Sequence, residues 1–158
     1  MNWFKKEQKP NAEKEKVFRG AIVIFHKKID GQTHYLVVEN AETHNITFIS
    51  GGEEEIDDNN LEQTAKREIK EELNLNSDQY VLKPTDIKQE FVYGAKKVER
   101  AGYKGSNQVF MAELLDIETI NHTNDLGETK WMTAEQVLSS LTFDDLKEVF
   151  RKIIKVIE

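Results

Sequence analysis

The chain of 158 residues is 38% hydrophobic and 32% charged, the size and balance of one soluble globular domain with a proper core. A formal net charge of −7 argues against general binding to a nucleic-acid backbone, and no apolar run reaches the length of a membrane span. The absence of cysteine excludes disulfides, thiol catalysis and cysteine-ligated zinc and, with no signal-peptide pattern, leads to the expectation of a cytoplasmic protein; a monomer or a homodimer is expected, with nothing in the sequence to choose between them.

Residues 1–16 are polar, with Trp3 and Phe4 as the large apolar side chains, and are predicted to form an N-terminal arm ahead of a single domain over 17–158. Residues 17–25 (VFRGAIVIF) are almost continuously apolar, which predicts a strand buried on both faces. Asp30-Gly31 signals a hairpin turn back into a strand over 35–39, and a third strand over 46–49 leads straight into Gly51-Gly52. After the glycines comes an acidic loop with Glu53, Glu54, Glu55, Asp57, Asp58 and Asn59. Asn60 can cap a helix running to Leu73, with Asn74 suited to the left-handed position that ends it. Leu61, Ala65, Ile69 and Leu73 share an apolar stripe on that helix, and Glu68, Glu71 and Glu72 share a neighbouring face one turn tall.

Like charges stacked on one helix face repel, each i,i+4 pair costing a few tenths of a kcal/mol, roughly. Glu72 also falls at the edge of the packing stripe, where a carboxylate is costly unless paired or coordinated. A solvated acidic face is the plainer reading. A hard divalent cation is the functional one, since Mg²⁺ takes oxygen ligands and leaves positions for water and substrate phosphates.

Downstream, Pro84 interrupts a connector, and residues 87–93 and 107–114 read as strands. The segment 94–105 carries Lys96, Lys97, Arg100 and Lys104 against Glu99 alone, a basic stretch in an acidic protein that reads either as a solvated hairpin tip or as a contact for substrate phosphates. A polar loop over 116–129 holds Asp125 and Glu128 shortly before Trp131. Thr133 with Gln136 predicts a capped short helix to about Ser139. Thr142 is expected to cap a last helix whose core stripe is Phe143, Leu146, Phe150, Ile153, Ile154 and Ile157. Strands, a helix, more strands and two closing helices give an α/β fold with a mixed sheet and helices on both faces.

The stretch from Gly51 to Leu75 resembles the Nudix box, G-x5-E-x7-R-E-U-x-E-E-x-G-U with U bulky and apolar; Arg67, Glu68, Ile69, Glu71, Glu72 and Leu75 match its second half. It departs from the pattern by one extra loop residue, which leaves Asp58 or Asn59 as the loop acid, by Asn74 for the last glycine, and by Ser50 for a common proline. The resemblance implies an α/β/α sandwich and a Mg²⁺-dependent (or Mn²⁺-dependent) pyrophosphohydrolase acting on a nucleoside diphosphate derivative. It also implies that Glu68, Glu71 and Glu72, with a carbonyl of Gly51 or Gly52, hold the metal, and that Arg67 orients a box carboxylate. The attacking water would be deprotonated by one of these glutamates or by a downstream acid such as Glu128. More weakly, the part from Glu90 through Trp131 to the closing helix is similar to the dinucleoside tetraphosphate hydrolase branch, with Tyr93 near a tyrosine of that branch, Tyr103 as a second aromatic surface, and the basic segment beside them. The lysine often found beside the glycine pair in that branch is missing. The alternatives are a (d)NTP or nucleotide-sugar hydrolase, or a Nudix-fold module that holds a nucleotide without cutting it.

Competing chemistries fail on the residues. An EF-hand over Asp58, Asn60 and Glu62 would place Gln63 where Gly is required and Ile69 at the bidentate acid. His26, His34, His44 and His122 form no HExxH, and there is no P-loop or Gly-x-Ser-x-Gly elbow.

Overall fold

The first apolar run becomes the central strand of the protein. In the computed structural model, which describes residues 16–94, 99–115 and 127–157, β1 (Val17–Ile29) is buried without a break from Gly20 to Phe25. Both its faces are covered: Ala21, Val23 and Phe25 enter one core, Ile22 and Ile24 the other. Val17, predicted to be buried, is 41% exposed because the covering layers stop short of the strand's start. The predicted arm with Trp3 and Phe4 lies outside the described residues, as do Lys96, Lys97 and the predicted loop as far as residue 126.

The Asp30-Gly31 turn, both residues at positive φ (52° and 81°), returns the chain into β2 (Gln32–Asn40). β3 (Ile46–Thr47) pairs with β2, and β4 (Ile49–Gly52) pairs with the first half of β1, so the predicted third strand is two short ones. β5 (Tyr80–Val92) is longer than predicted. Pro84 lies within it, at the edge of the sheet, where the register with β6 (Lys104–Leu114) slips between Pro84 and Lys88. An edge strand or a bulge is where a residue without an N–H is tolerated. β6 runs parallel to β1 and antiparallel to β5. β7 (Gly127–Thr133), paired with β2, replaces the end of the predicted loop; its polar outer residues give no alternation to read. The strands form one seven-stranded mixed sheet, ordered β3-β2-β1-β6-β5 with β4 beside β1 and β7 beside β2.

One face of the sheet carries α1 (Leu61–Leu73), whose Ala65, Ile69 and Leu73 pack on Val23, Phe25 and Phe110. The other carries α2 (Ala134–Ser140) and α3 (Asp144–Ile157), where Phe150 meets Tyr35 edge-on at 4.8 Å between ring centroids. The α/β/α sandwich is as expected. Among the described residues no helix is long and apolar enough to cross a membrane.

The caps follow the sequence at three of four ends. Asn60 Oδ1 accepts from Glu62 N–H at 3.0 Å, Thr133 and Gln136 form the reciprocal box, and Asn74 is left-handed (φ 55°) with its N–H on Lys70 O. Thr142 differs: its hydroxyl accepts from Ile46 N–H at 2.7 Å, tying the start of α3 to β3 instead of capping the helix. Phe143 accordingly leaves the core stripe and is 45% exposed, while Val149 joins it.

Because a left-handed backbone costs an ordinary L-residue about 1–2 kcal/mol and glycine almost nothing, Asn74→Gly should hold or raise stability by up to about 1 kcal/mol. Urea denaturation measures it, and a clear loss would show that the Asn74 side chain has a bond of its own to keep.

Candidate active site

The site is built on the short bridge between β4 and α1. Gly20 and Gly51 sit on neighbouring strands, and the pairing of Gly20 with Gly52 and of Ala21 with Gly51 lays the glycine pair flat against β1. Gly51 has no room for a side chain: a Cβ there would stand 1.9 Å from Glu68 Oε1, so the glycine's backbone is what the Glu68 carboxylate rests on. A Cβ on Gly20 would come within 2.6 Å of the Gly51 carbonyl oxygen.

After the glycines the chain makes a single 3₁₀ turn, Glu55–Asp57, and then two successive left-handed residues, Asp58 (φ 54°) and Asn59 (φ 58°). The loop acid that meets Arg67 is neither of those two. It is Asp57, 2% exposed, whose Oδ2 accepts from Glu54 N–H (2.9 Å), Thr64 Oγ1 (2.8 Å) and Arg67 Nη2 (2.9 Å), while Oδ1 accepts from Arg67 Nε (3.0 Å). The two-pronged arginine bond leads the contacts that hold the Asp57 carboxyl down at about 2. Spacing could not single it out among five neighbouring acids; only the 3₁₀ turn aims it inward.

Arg67 is the hub. Besides Asp57 it donates to the carbonyl of Gly52 (2.8 Å) and to Glu68 Oε1 (3.0 Å), lies 3.4 Å from both oxygens of Glu71, and pairs with Glu54 at 3.1 Å. The expected pairing of Arg67 with box carboxylates is therefore present. Glu68 is almost buried, and burial first, then Glu71, pushes its pKa up. Burial, followed by the charges of Glu68 and Glu71, raises Glu72 from its ordinary 4.5 to about 8. Glu71 is the exposed member of the three, its side chain 55% accessible. Among the described residues no three acidic or histidine side chains are gathered tightly enough around one point to hold an ion as they stand. Their chemistry fits one nonetheless: oxygen donors only, two of them disfavoured as bare charges, beside an exposed glycine backbone.

The other candidates divide. Arg100 and Tyr93 come together, Nη1 donating to the Tyr93 hydroxyl at 3.1 Å. Tyr93 lies just past β5, with Phe91 and Phe18 edge-on to it at 4.9 and 5.8 Å, and Arg100 sits over the Phe18 ring at 4.6 Å. Tyr103 also meets Phe18 edge-on, at 5.4 Å. Phe18 was legible only as a strand residue. Here it anchors an aromatic cluster at the end of the sheet, beside a cleft of about 400 Å³ whose lining includes Lys16, Phe18, Arg19, Arg100 and Gly52 to Glu55. Lys104 is not part of the aromatic cluster: it pairs between Val17 and Val92, on the other sheet face from Phe18, the face of Arg19, and it does not line the cleft. Glu128 stands apart as well. It is the second residue of β7, opposite Glu39, and alternates with Trp131 onto the face of Lys130 and Met132, whereas Trp131 packs on the α1 side. The strand that replaced the predicted loop carries it there. Lys96, Lys97 and Asp125 lie outside the described residues.

A family model described as the NUDIX domain matches residues 18–154. Among solved structures, C. elegans Ap4A hydrolase superposes with a TM-score of 0.71 at 21% identity, covering 90% of this chain and 100% of its own. The E. coli dihydroneopterin triphosphate pyrophosphohydrolase gives 0.71 at 17%, covering 89% and 99%. The NUDIX domain of Shewanella oneidensis NrtR, complexed with ADP ribose, gives 0.65 at 16%, covering 89% and 90%. No curated protein matches the chain.

Two outcomes follow from the buried carboxylates. Asp57→Asn leaves the guanidinium of Arg67 without its main partner and should cost about 3 kcal/mol at pH 7. An unfolded chain protonates Asp57 near 3.8 and the folded one only near 2, so this contribution is whole above 3.8 and fades as pH falls toward 2. Chemical denaturation of wild type and variant at neutral and acid pH should show the gap closing. Glu72 has the opposite sign. The folded metal-free protein keeps its proton to about 8 and the unfolded chain only to 4.5, so stability should decline as pH rises between them. Glu72→Gln should flatten that decline in thermal melts recorded with chelator.

Proposed function

Because the chain belongs to the NUDIX family, whose hydrolases act on phosphorus-containing acid anhydrides, we propose that it is a divalent-cation-dependent pyrophosphohydrolase cleaving a nucleoside diphosphate derivative at the β4–α1 bridge. The observation that carries this reading is the Glu68 carboxylate seated on the Gly51 backbone with Glu71 and Glu72 on the same helix face, Glu68 and Glu71 within reach of Arg67. A module that merely held a nucleotide would have no use for three carboxylates, two of them energetically unfavourable as charges.

Glu68, Glu71 and Glu72 would hold Mg²⁺ or Mn²⁺, with the Gly51 carbonyl as a further donor. Bound there, the ion would neutralise the pyrophosphate oxygens and lower the pKa of a water. The Gly52 carbonyl is a weaker candidate, since it already accepts from Arg67. Glu71, exposed and only loosely bonded, is free to turn toward an ion, while Arg67 keeps Glu68 from swinging away. The proton of the attacking water goes to a box glutamate. Glu128, on the far face of the sheet, is not at hand for it.

The cleft beside Gly52 suits the rest of the substrate, offering Lys16 and Arg100 to phosphate oxygens. Within this reading a dinucleoside polyphosphate is the finer assignment, favoured by the aromatic cluster next to those cations. Tyr93 is not an open stacking platform there, because two rings and Arg100 already surround it. Its part is to hold Arg100 at the cleft through its hydroxyl.

Glu71→Gln and Glu72→Gln should each lower kcat by roughly a hundredfold or more with folding retained, as each removes a charge from the metal clamp. Turnover near wild type in both at saturating Mg²⁺ contradicts the site. For the substrate, diadenosine tetraphosphate, nucleoside triphosphates and a nucleotide sugar compete in one chromatographic assay. The dinucleotide should have the highest kcat/KM, and Tyr93→Phe should raise its KM several-fold. Equal kcat/KM across the panel removes the finer assignment and leaves the general one.

A further inference from the structure

Arg67 grips the entrance and middle of the bridge, at Gly52, Glu54 and Asp57. The exit is held from elsewhere. Arg19, on β1, donates through Nε to Glu53 Oε1 at 3.1 Å, through Nη2 to the other oxygen of Glu53, and through Nη2 again to the carbonyl of Asn59 at 3.1 Å. Its own carbonyl accepts from Glu53 N–H at 2.8 Å. One side chain therefore joins the first residue after the glycine pair to the last residue before the α1 cap.

The bridge needs such a tie. Asp58 and Asn59 are consecutive non-glycine residues in the left-handed region, and such backbone persists only where surrounding contacts over-determine it. Arg19 adjoins Gly20, so the same contact draws Gly52 and Glu53 onto β1, and the flatness of that pairing is what lets the Glu68 carboxylate rest on Gly51.

We propose, on top of the hydrolase reading, that Arg19 is a positioning residue, a latch from β1 that clamps both ends of the lengthened box loop through Glu53 and Asn59 and so keeps Gly51 and Glu68 placed for a divalent cation. The competing role for an arginine on the cleft wall is direct contact with substrate, and Glu53 separates the two. A latch is broken equally from either end, whereas a substrate-binding arginine released from Glu53 remains available to phosphate.

The experiment compares Arg19→Gln, Glu53→Gln, the double variant and Arg19→Lys in three measurements on the full chain. Hydrogen exchange of residues 53–60 should quicken in both single variants. Binding of Mn²⁺ alone, followed by electron paramagnetic resonance, should weaken about tenfold in each, the range typical of residues that orient metal ligands. The double variant should be no worse than either single one, and Arg19→Lys, with the charge but not the planar fork, should lie between. In turnover the loss should fall on kcat more than on KM. Glu53→Gln indistinguishable from wild type in exchange and Mn²⁺ affinity overturns the latch, as does an Arg19→Gln effect confined to KM. If Arg19→Gln fails to fold, the near-isosteric Glu53→Gln decides alone. Wild-type protein that binds Mn²⁺ but cleaves nothing would overturn the hydrolase reading, and the latch would still be judged by exchange and affinity.

Discussion

The bond between Asp57 and Arg67 is the constraint on which the site depends. Asp57 is a buried acid, and burying it is favourable only because a two-pronged arginine, a hydroxyl and a backbone amide meet it there. That commits Arg67 to one position. From it the remaining guanidinium N–H groups reach the Gly52 carbonyl and the Glu68 and Glu71 carboxylates, so strand end, loop and helix become one rigid piece. The repulsion among the helix glutamates is contained by the same cation. Removing Asp57 would therefore disturb the site through Arg67, without Asp57 touching any substrate.

Much of this was legible in the sequence, for identifiable reasons. The helix was readable because its stripe, its Asn60 cap and its Asn74 terminus all pointed to the same boundaries. The glycine pair was readable because a strand running into two glycines at a helix entrance has few other uses. What escaped was decided by contacts between residues distant in sequence. Asp57 was hidden among like neighbours. Thr142 had a strand, Ile46, to bind in place of its own helix. Glu128 was read in a loop, where any direction is open to it, and a strand pairing with β2 turned it to the far face. Phe18 looked like one more member of an apolar run until the end of the sheet set it among Tyr93, Tyr103 and Arg100.

The site thus has a rigid half and an adaptable half. The rigid half is the arginine-bound bridge, backed by β1, with Asp57 held out of water. The adaptable half is the exposed Glu71 and, separately, the cleft wall at Lys16 and Arg100, which borders a space large enough for phosphates. Such a division suits phosphoanhydride chemistry, in which charge must be met at a fixed place while the substrate's outer parts vary.

The central claim is that the box carboxylates and the Gly51 backbone gather a divalent cation. The most direct measurement is an anomalous difference map from crystals soaked in Mn²⁺. It should show a peak among the Glu68, Glu71 and Glu72 oxygens and the Gly51 carbonyl, at contact distances of about 2 Å typical of such hard cations. A saturating soak with no peak there, or with the ion bound on another face of the molecule, would contradict it.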